Sequence, residues 1–215
     1  MYTSLIRITE IFYSLQGESS LAGIPTIFIR LTGCPLRCQY CDTSYAFKGG
    51  VRYTISDILS HIEQYPCKIV CVTGGEPLAQ PACKGLLAAL CDKGYGVSLE
   101  TSGAIDISAV DSRATIIMDL KTPDSKECHQ NLYANIEYLK PNDEVKFVIC
   151  SRADYDWARH IIAQYQLVKK AQILFSPSWG QVEPTLLADW ILMDNLPVRF
   201  QLQLHKVLWK DAQGR

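Results

Sequence analysis

The run Gly33-Cys34-Pro35-Leu36-Arg37-Cys38-Gln39-Tyr40-Cys41-Asp42-Thr43 decides how the rest of the chain is read. Its three cysteines fall at C-x3-C-x2-C, with an aromatic residue directly before the third. Thiolates are soft ligands that suit iron–sulfur clusters, zinc or copper(I). A four-iron cluster held by protein alone uses four cysteines. This loop supplies three, so a cluster bound here keeps one iron open for another ligand. The competing readings are a structural zinc loop and cysteines that merely fill space. Zinc loops pair two C-x2-C halves or add histidines at short spacing, and no such second half follows here.

The chain has 215 residues, enough for one domain with a large core. Its charges nearly cancel, at 21 Lys and Arg against 22 Asp and Glu. With no basic stripe, nucleic-acid binding is not expected. The opening Met1-Tyr2-Thr3-Ser4-Leu5-Ile6-Arg7 has no apolar run before a cleavage site, and no stretch is long enough to span a bilayer. The expected location is the cytoplasm, with no membrane partner. Nine cysteines favour metal binding over a disulfide framework there. Cys67, Cys71, Cys83, Cys91, Cys128 and Cys150 lie outside the loop and read as small hydrophobes.

Segments on either side of the loop alternate. A hairpin-like extension, about residues 1–25, leads into a buried strand over Thr26–Leu31, which delivers the chain to the loop at 33–43. Further strands are expected at Lys68–Thr73, Gly96–Glu100, Thr115–Leu120, Glu144–Ile149, Gln172–Ser176 and Arg199–Leu204. Helices are expected at Ser56–Gln64, Pro81–Asp92, Asn131–Leu139, Ala153–Val168 and Pro184–Asp194. Alternation of this kind predicts an α/β fold with a parallel sheet. A full eight-unit barrel takes about 250 residues, so the expectation is a single-domain incomplete (β/α)6-type barrel. Active sites in such folds gather at the C-terminal ends of the strands.

Those ends carry the remaining motifs. Val72-Thr73-Gly74-Gly75-Glu76-Pro77 joins glycines, which allow close backbone approach, to a carboxylate that can accept from an ammonium. Leu99-Glu100-Thr101-Ser102-Gly103 and Met118-Asp119-Leu120-Lys121-Thr122-Pro123 put charge at the mouths of apolar strands, where turn or cap roles are the plainer alternative. With the cysteine loop, these runs resemble the radical S-adenosylmethionine (radical SAM) superfamily. The resemblance implies a 4Fe-4S cluster on Cys34, Cys38 and Cys41, with SAM chelating the open iron. It also implies SAM contacts from Tyr40, Gly74, Gly75, Glu76, Glu100, Asp119 and Lys121, with Ser176, Pro177, Ser178 and Trp179 bordering the adenine.

The run Glu10-Ile11-Phe12-Tyr13-Ser14-Leu15-Gln16-Gly17-Glu18 is not required by a generic core of that kind. Together with Cys41-Asp42-Thr43 and Gln203-Leu204-His205-Lys206 it resembles the 7-carboxy-7-deazaguanine synthase family, over about Ile8 to Trp209. That resemblance implies a lyase of 7-deazapurine (queuosine-type) biosynthesis, turning 6-carboxy-5,6,7,8-tetrahydropterin into 7-carboxy-7-deazaguanine and ammonia while SAM is regenerated. It implies a magnesium ion on the Thr43 hydroxyl, a residue that sequence alone assigns to a turn. It places the pterin against Leu15, Gln16, Gly17 and Thr73, with Gln203 and His205 on one face of a strand. Arg30 is the expected partner of the substrate carboxylate, because its fork matches that geometry; pairing with Glu10 or Glu18 is the alternative. A flavodoxin or ferredoxin donor and a homodimer are expected on the same ground. The readings set against this one are a glycyl-radical-enzyme activase and a non-catalytic metal-binding module.

Overall fold

The computed structural model describes residues 5–210 and 212–214. Its centre is one nine-stranded sheet in the order β3-β1-β2-β4-β5-β6-β7-β8-β9. Strands β1 (Leu5–Leu15) and β2 (Pro25–Leu31) form an antiparallel hairpin, and β3 (Val51–Thr54) adds to the outer edge of β1. From β2 onward every pairing is parallel: β4 (Ile69–Gly74), β5 (Gly96–Thr101), β6 (Thr115–Asp119), β7 (Glu144–Ile149), β8 (Gln172–Pro177) and the short β9 (Arg199–Phe200). The two ends of the sheet do not pair, so the barrel is partial and open.

Side chains alternate across a strand, and this alternation separates core from site. Ile27, Ile29 and Leu31 of β2, Val70 and Val72 of β4, and Val145, Phe147 and Ile149 of β7 all enter the buried apolar cluster. The intervening residues turn to the other face. There the strands present Arg30, Thr73, Glu100, Asp119 and Lys146, one from each of β2, β4, β5, β6 and β7.

Helices cover the apolar face only in part. They are α1 (Ile55–Ile62), α2 (Cys83–Asp92), α3 (Arg152–Gln164) and α4 (Pro184–Met193). A reciprocal capping box between Thr54 and Asp57 starts α1. The helix expected at Asn131–Leu139 is instead a 3-10 segment, Tyr133–Tyr138. The cause is buried Asn135, which accepts from the Ile107 amide and donates to the Gly103 and Ile105 carbonyls, pinning the segment to the loop after β5. The last expected strand also ends early. After Phe200 the chain turns into α5 (Leu204–Trp209), whose first amide, Leu204 N, donates to the Gly17 carbonyl.

Candidate active site

The inner face of the strands and the loops at their ends enclose a cavity of about 710 Å³. The cysteine loop leaves β2 through Gly33, at φ +97°, a left-handed geometry suited to glycine. It is fastened on several sides. Gly33 N donates to Ala46 O, Glu76 N donates to Gly33 O, and Gln39 N donates to Ser125 O. Arg37 donates through Nη1 to the Cys34 and Leu36 carbonyls while its guanidinium stacks over Phe47. Cys34, Cys38 and Cys41 all line the cavity. Burial pushes the Cys34 thiol up, and pushes the Cys38 thiol up to about 11. Among the described residues no three His, Cys, Asp or Glu side chains gather closely enough to hold a single ion.

Gly74 and Gly75 have a steric reason in the fold. A Cβ on Gly74 would lie 2.4 Å from Leu31 O, and one on Gly75 would lie 2.2 Å from Gly33 O and 2.8 Å from Cys34 Cβ. The two glycines let the end of β4 press against the base of the cysteine loop. Glu76 departs from the expected SAM contact, because it is fully buried and does not line the cavity. Its carboxylate accepts from Leu78 N at 2.9 Å, Ser102 N at 2.6 Å, Ser102 Oγ at 2.6 Å and Thr101 Oγ1 at 3.0 Å. With those oxygens engaged, the side chain anchors the end of β5 to the turn after β4.

Asp119 and Lys121 do line the cavity on the side of the cysteines. Lys121 Nζ lies 2.9 Å from Asp119 Oδ2 and 5.7 Å over the Tyr40 ring. Burial alone raises a carboxylate, but Lys121 and Lys146 outweigh it and hold Asp119 low. Two buried polar atoms have no hydrogen-bond partner among the described residues here, Asp119 Oδ1 and the Tyr40 hydroxyl. Three cavity-facing thiols beside uncommitted polar atoms fit a cluster with a polar organic ligand on it. On β8 the residues expected to border the adenine divide. Ser176 and Pro177 are buried within the strand and do not line the cavity, whereas Ser178 does and Trp179, 56% exposed, stands at the rim.

At the other end of the cavity, Gln16 Nε2 donates to Glu100 Oε1 at 3.3 Å and Thr73 Oγ1 donates to Glu100 Oε2 at 2.8 Å. Glu100, expected beside SAM, therefore sits among the residues expected around the pterin. Leu15 and Gly17 complete this wall. Arg30 lines it too, with Nε already donating to Glu10 Oε1 at 2.7 Å, an oxygen that also accepts from the Tyr45 hydroxyl. Gln203 and His205 face the cavity, but from the start of α5 and not from one face of a strand. Gln203 Nε2 donates to Glu18 Oε1 at 2.8 Å, and His205 Nε2 lies 3.6 Å from Asp42 Oδ2. A Cβ on Gly17 would meet His205 Nδ1 at 2.3 Å, which explains the glycine. Thr43 lines the cavity and donates to Asp42 Oδ1 at 3.1 Å. This pairs a hydroxyl with a carboxylate, hard oxygen donors that fit magnesium. Residues 212–214 lie at the same cavity.

Lys146 has no role in the sequence reading, and Glu18, read there as an alternative partner of Arg30, pairs with Lys146 instead. They form a buried ion pair, and Lys146 Nζ also lies 3.5 Å from Asp119 Oδ2. The available signal was a lone cation at an inward position of the apolar strand Glu144-Val145-Lys146-Phe147-Val148-Ile149.

Known proteins resemble this chain in sequence and in fold. Residues 28–163 match the model of the radical SAM superfamily. The 7-carboxy-7-deazaguanine synthase of Chlorobaculum tepidum is 48% identical over 214 residues, covering 97% of each chain. That of Thermoplasma acidophilum is 36% identical, covering 96% of this chain and 99% of its own. In fold, the crystal structure of QueE from Escherichia coli superposes with a TM-score of 0.79 at 24% identity, covering 94% of this chain and 95% of that one. Streptococcus suis SuiB bound to S-adenosylmethionine gives a TM-score of 0.56 at 14% identity, over 80% of this chain and 45% of that one. The chain belongs to the 7-carboxy-7-deazaguanine synthase family of the radical SAM superfamily.

Proposed function

We propose that the protein converts 6-carboxy-5,6,7,8-tetrahydropterin into 7-carboxy-7-deazaguanine and ammonia, as a radical SAM lyase of 7-deazapurine biosynthesis. One observation carries this reading: the cysteine loop, the Leu15-Gln16-Gly17 run and the Gln203/His205 pair, far apart in sequence, line a single cavity. Neither the activase nor the metal-binding module is favoured by the family membership.

In this reading Cys34, Cys38 and Cys41 hold a 4Fe-4S cluster, and SAM lies against Tyr40, the Gly74-Gly75 backbone, Asp119, Lys121, Ser178 and Trp179. When bound, cluster and SAM together supply the radical that removes a hydrogen from the substrate. The residues themselves bind and orient. Leu15, Gln16, Gly17, Thr73 and Glu100 bracket the pterin, whose ring offers donors to Glu100 and acceptors to Gln16. Arg30 meets the substrate carboxylate with the side of its fork that Glu10 leaves open, and His205 closes over Gly17. Thr43, with Asp42 beside it, holds magnesium near that carboxylate. Trp179 and α5 screen the reacting ring from water.

The chain is proposed to work as one domain, in the cytoplasm, with electrons from a flavodoxin or ferredoxin. No helix among the described residues is long and apolar enough to cross a membrane. A homodimer is proposed as well; Leu192 and Met193, 76% and 83% exposed at the end of α4, are apolar surface of the kind a second copy covers. The hydrogen step has its own test. Substrate carrying deuterium at C6 should return deuterium to the 5′ carbon of recovered SAM. Product formation with no label in SAM would contradict the proposed hydrogen transfer.

A further inference from the structure

Lys146 is a cation in the middle of an apolar strand, with its side chain 13% exposed. Its ammonium meets two carboxylates that belong to different ends of the cavity. Glu18, from the loop after β1, forms a very close ion pair with it and continues to Gln203 at the start of α5. Asp119 is its direct neighbour in the β6–β7 register, and Asp119 Oδ2 lies 3.5 Å from Lys146 Nζ. Asp119 continues to Lys121, whose charge is felt by the thiols of Cys34 and Cys38. The chain Gln203–Glu18–Lys146–Asp119–Lys121 thus runs from the pterin end of the cavity to the cluster end, with charges alternating along it.

We infer that Lys146 is a positioning residue that ties the substrate end of the cavity to the cofactor end, holding Glu18 and Asp119 through one buried ammonium. Burial works against the charge of Lys146, but Glu18, Asp119 and Glu100 outweigh it and push its pKa up. It is therefore a fixed cation that holds its neighbours and does not shuttle protons. Without it, the Glu18 carboxylate keeps, among the described residues, Gln203 as its one side-chain hydrogen-bond donor. A buried carboxylate that loses its counter-charge takes up a proton or moves toward water. Either change releases Gln203. Asp119 keeps Lys121 but loses its second restraint, so its unpartnered Oδ1 is no longer aimed.

The inference rests on the cavity holding cluster, SAM and pterin as proposed above. The test uses the full chain, reconstituted anaerobically, as wild type and as Lys146→Met, Glu18→Gln and Asp119→Asn. Iron and sulfide content report the cluster, the change in its reduced EPR signal on titrating SAM reports SAM affinity, and steady-state turnover reports KM and kcat for the pterin. Glu18→Gln should raise the pterin KM about tenfold and leave SAM affinity near wild type, and Asp119→Asn should do the reverse. Lys146→Met should load the cluster normally and shift both constants by about tenfold or more. Wild-type values for both in Lys146→Met, or a shift in one alone, would overturn the bridging role. If Lys146→Met does not fold, the double variant Glu18→Gln/Lys146→Met, which removes the stranded carboxylate, is read in the same way. Failure of the wild type to respond to SAM or to turn over the pterin would instead contradict the proposed function itself.

Discussion

Glu76, central to the Gly-Gly-Glu-Pro run, is fully buried and does not line the cavity. Its carboxylate gathers donors from Leu78, Thr101 and Ser102 at the joint between β4 and β5. Truncating it strands those donors in a buried site, so Glu76→Ala should cost about 3 kcal/mol or more in urea unfolding of the apoprotein. A loss under about 1 kcal/mol would mean the site relaxes or admits water. The Glu18 and Asp119 carboxylates give a second prediction, with a sign. Lysines hold both below the ordinary carboxylate range despite burial. Their stabilisation is fully present above the unfolded value of about 4 and is lost as pH falls through the lower folded values. The urea midpoint should therefore fall below about pH 4 in the wild type, and fall less steeply in Glu18→Gln. Much of this was legible. Arg30, Thr73, Glu100 and Asp119 each stand out at the mouth of an apolar strand, and each lines the cavity. Lys146, one strand later, carried a different signal, a lone cation in mid-strand. What sequence does not reveal is which side chains turn away from the cavity: the Glu76 oxygens are taken up by Leu78, Thr101 and Ser102, and Ser176 and Pro177 are buried within β8.

At the scale of elements, the parallel strands were readable because their apolar runs are short and rich in β-branched residues. The two departures have tertiary causes. Gln201-Leu202-Gln203-Leu204 alternates like a strand. It ends as the entry to α5 because Gly17 O offers an acceptor to Leu204 N, from a loop nearly the whole chain away. The Tyr133–Tyr138 segment is short of a helix because Asn135 is buried as a polar anchor. The docking of α5 on Gly17 is directly testable. Gly17→Ala puts a methyl where the His205 ring sits, so α5 should shift, with the pterin KM raised and the cluster content unchanged. Gly75→Ala strikes backbone at Gly33 instead. That variant should lose cluster content, measured as iron per chain, because the base of the cysteine loop has no side chain to move aside. The opposite pattern in the two variants would contradict the division of the cavity into substrate and cluster ends.

Taken as a whole, the barrel is partial and open. Helices are missing between β5 and β6 and between β6 and β7, where 3-10 turns and loops carry the chain across. The cavity is completed by parts outside the parallel sheet: the β1–β2 loop, α5 and residues 212–214. The core of the fold was expected from its alternation, but its closure by the two ends of the chain is a long-range arrangement with no local signature. All of these parts serve one ring contraction in a shared cavity. The most direct measurement is anaerobic turnover of the reconstituted protein with SAM, reductant, magnesium and 6-carboxy-5,6,7,8-tetrahydropterin, followed by mass spectrometry. 7-Carboxy-7-deazaguanine should accumulate well beyond the SAM consumed. Release of 5′-deoxyadenosine from SAM with no deazapurine formed would contradict it.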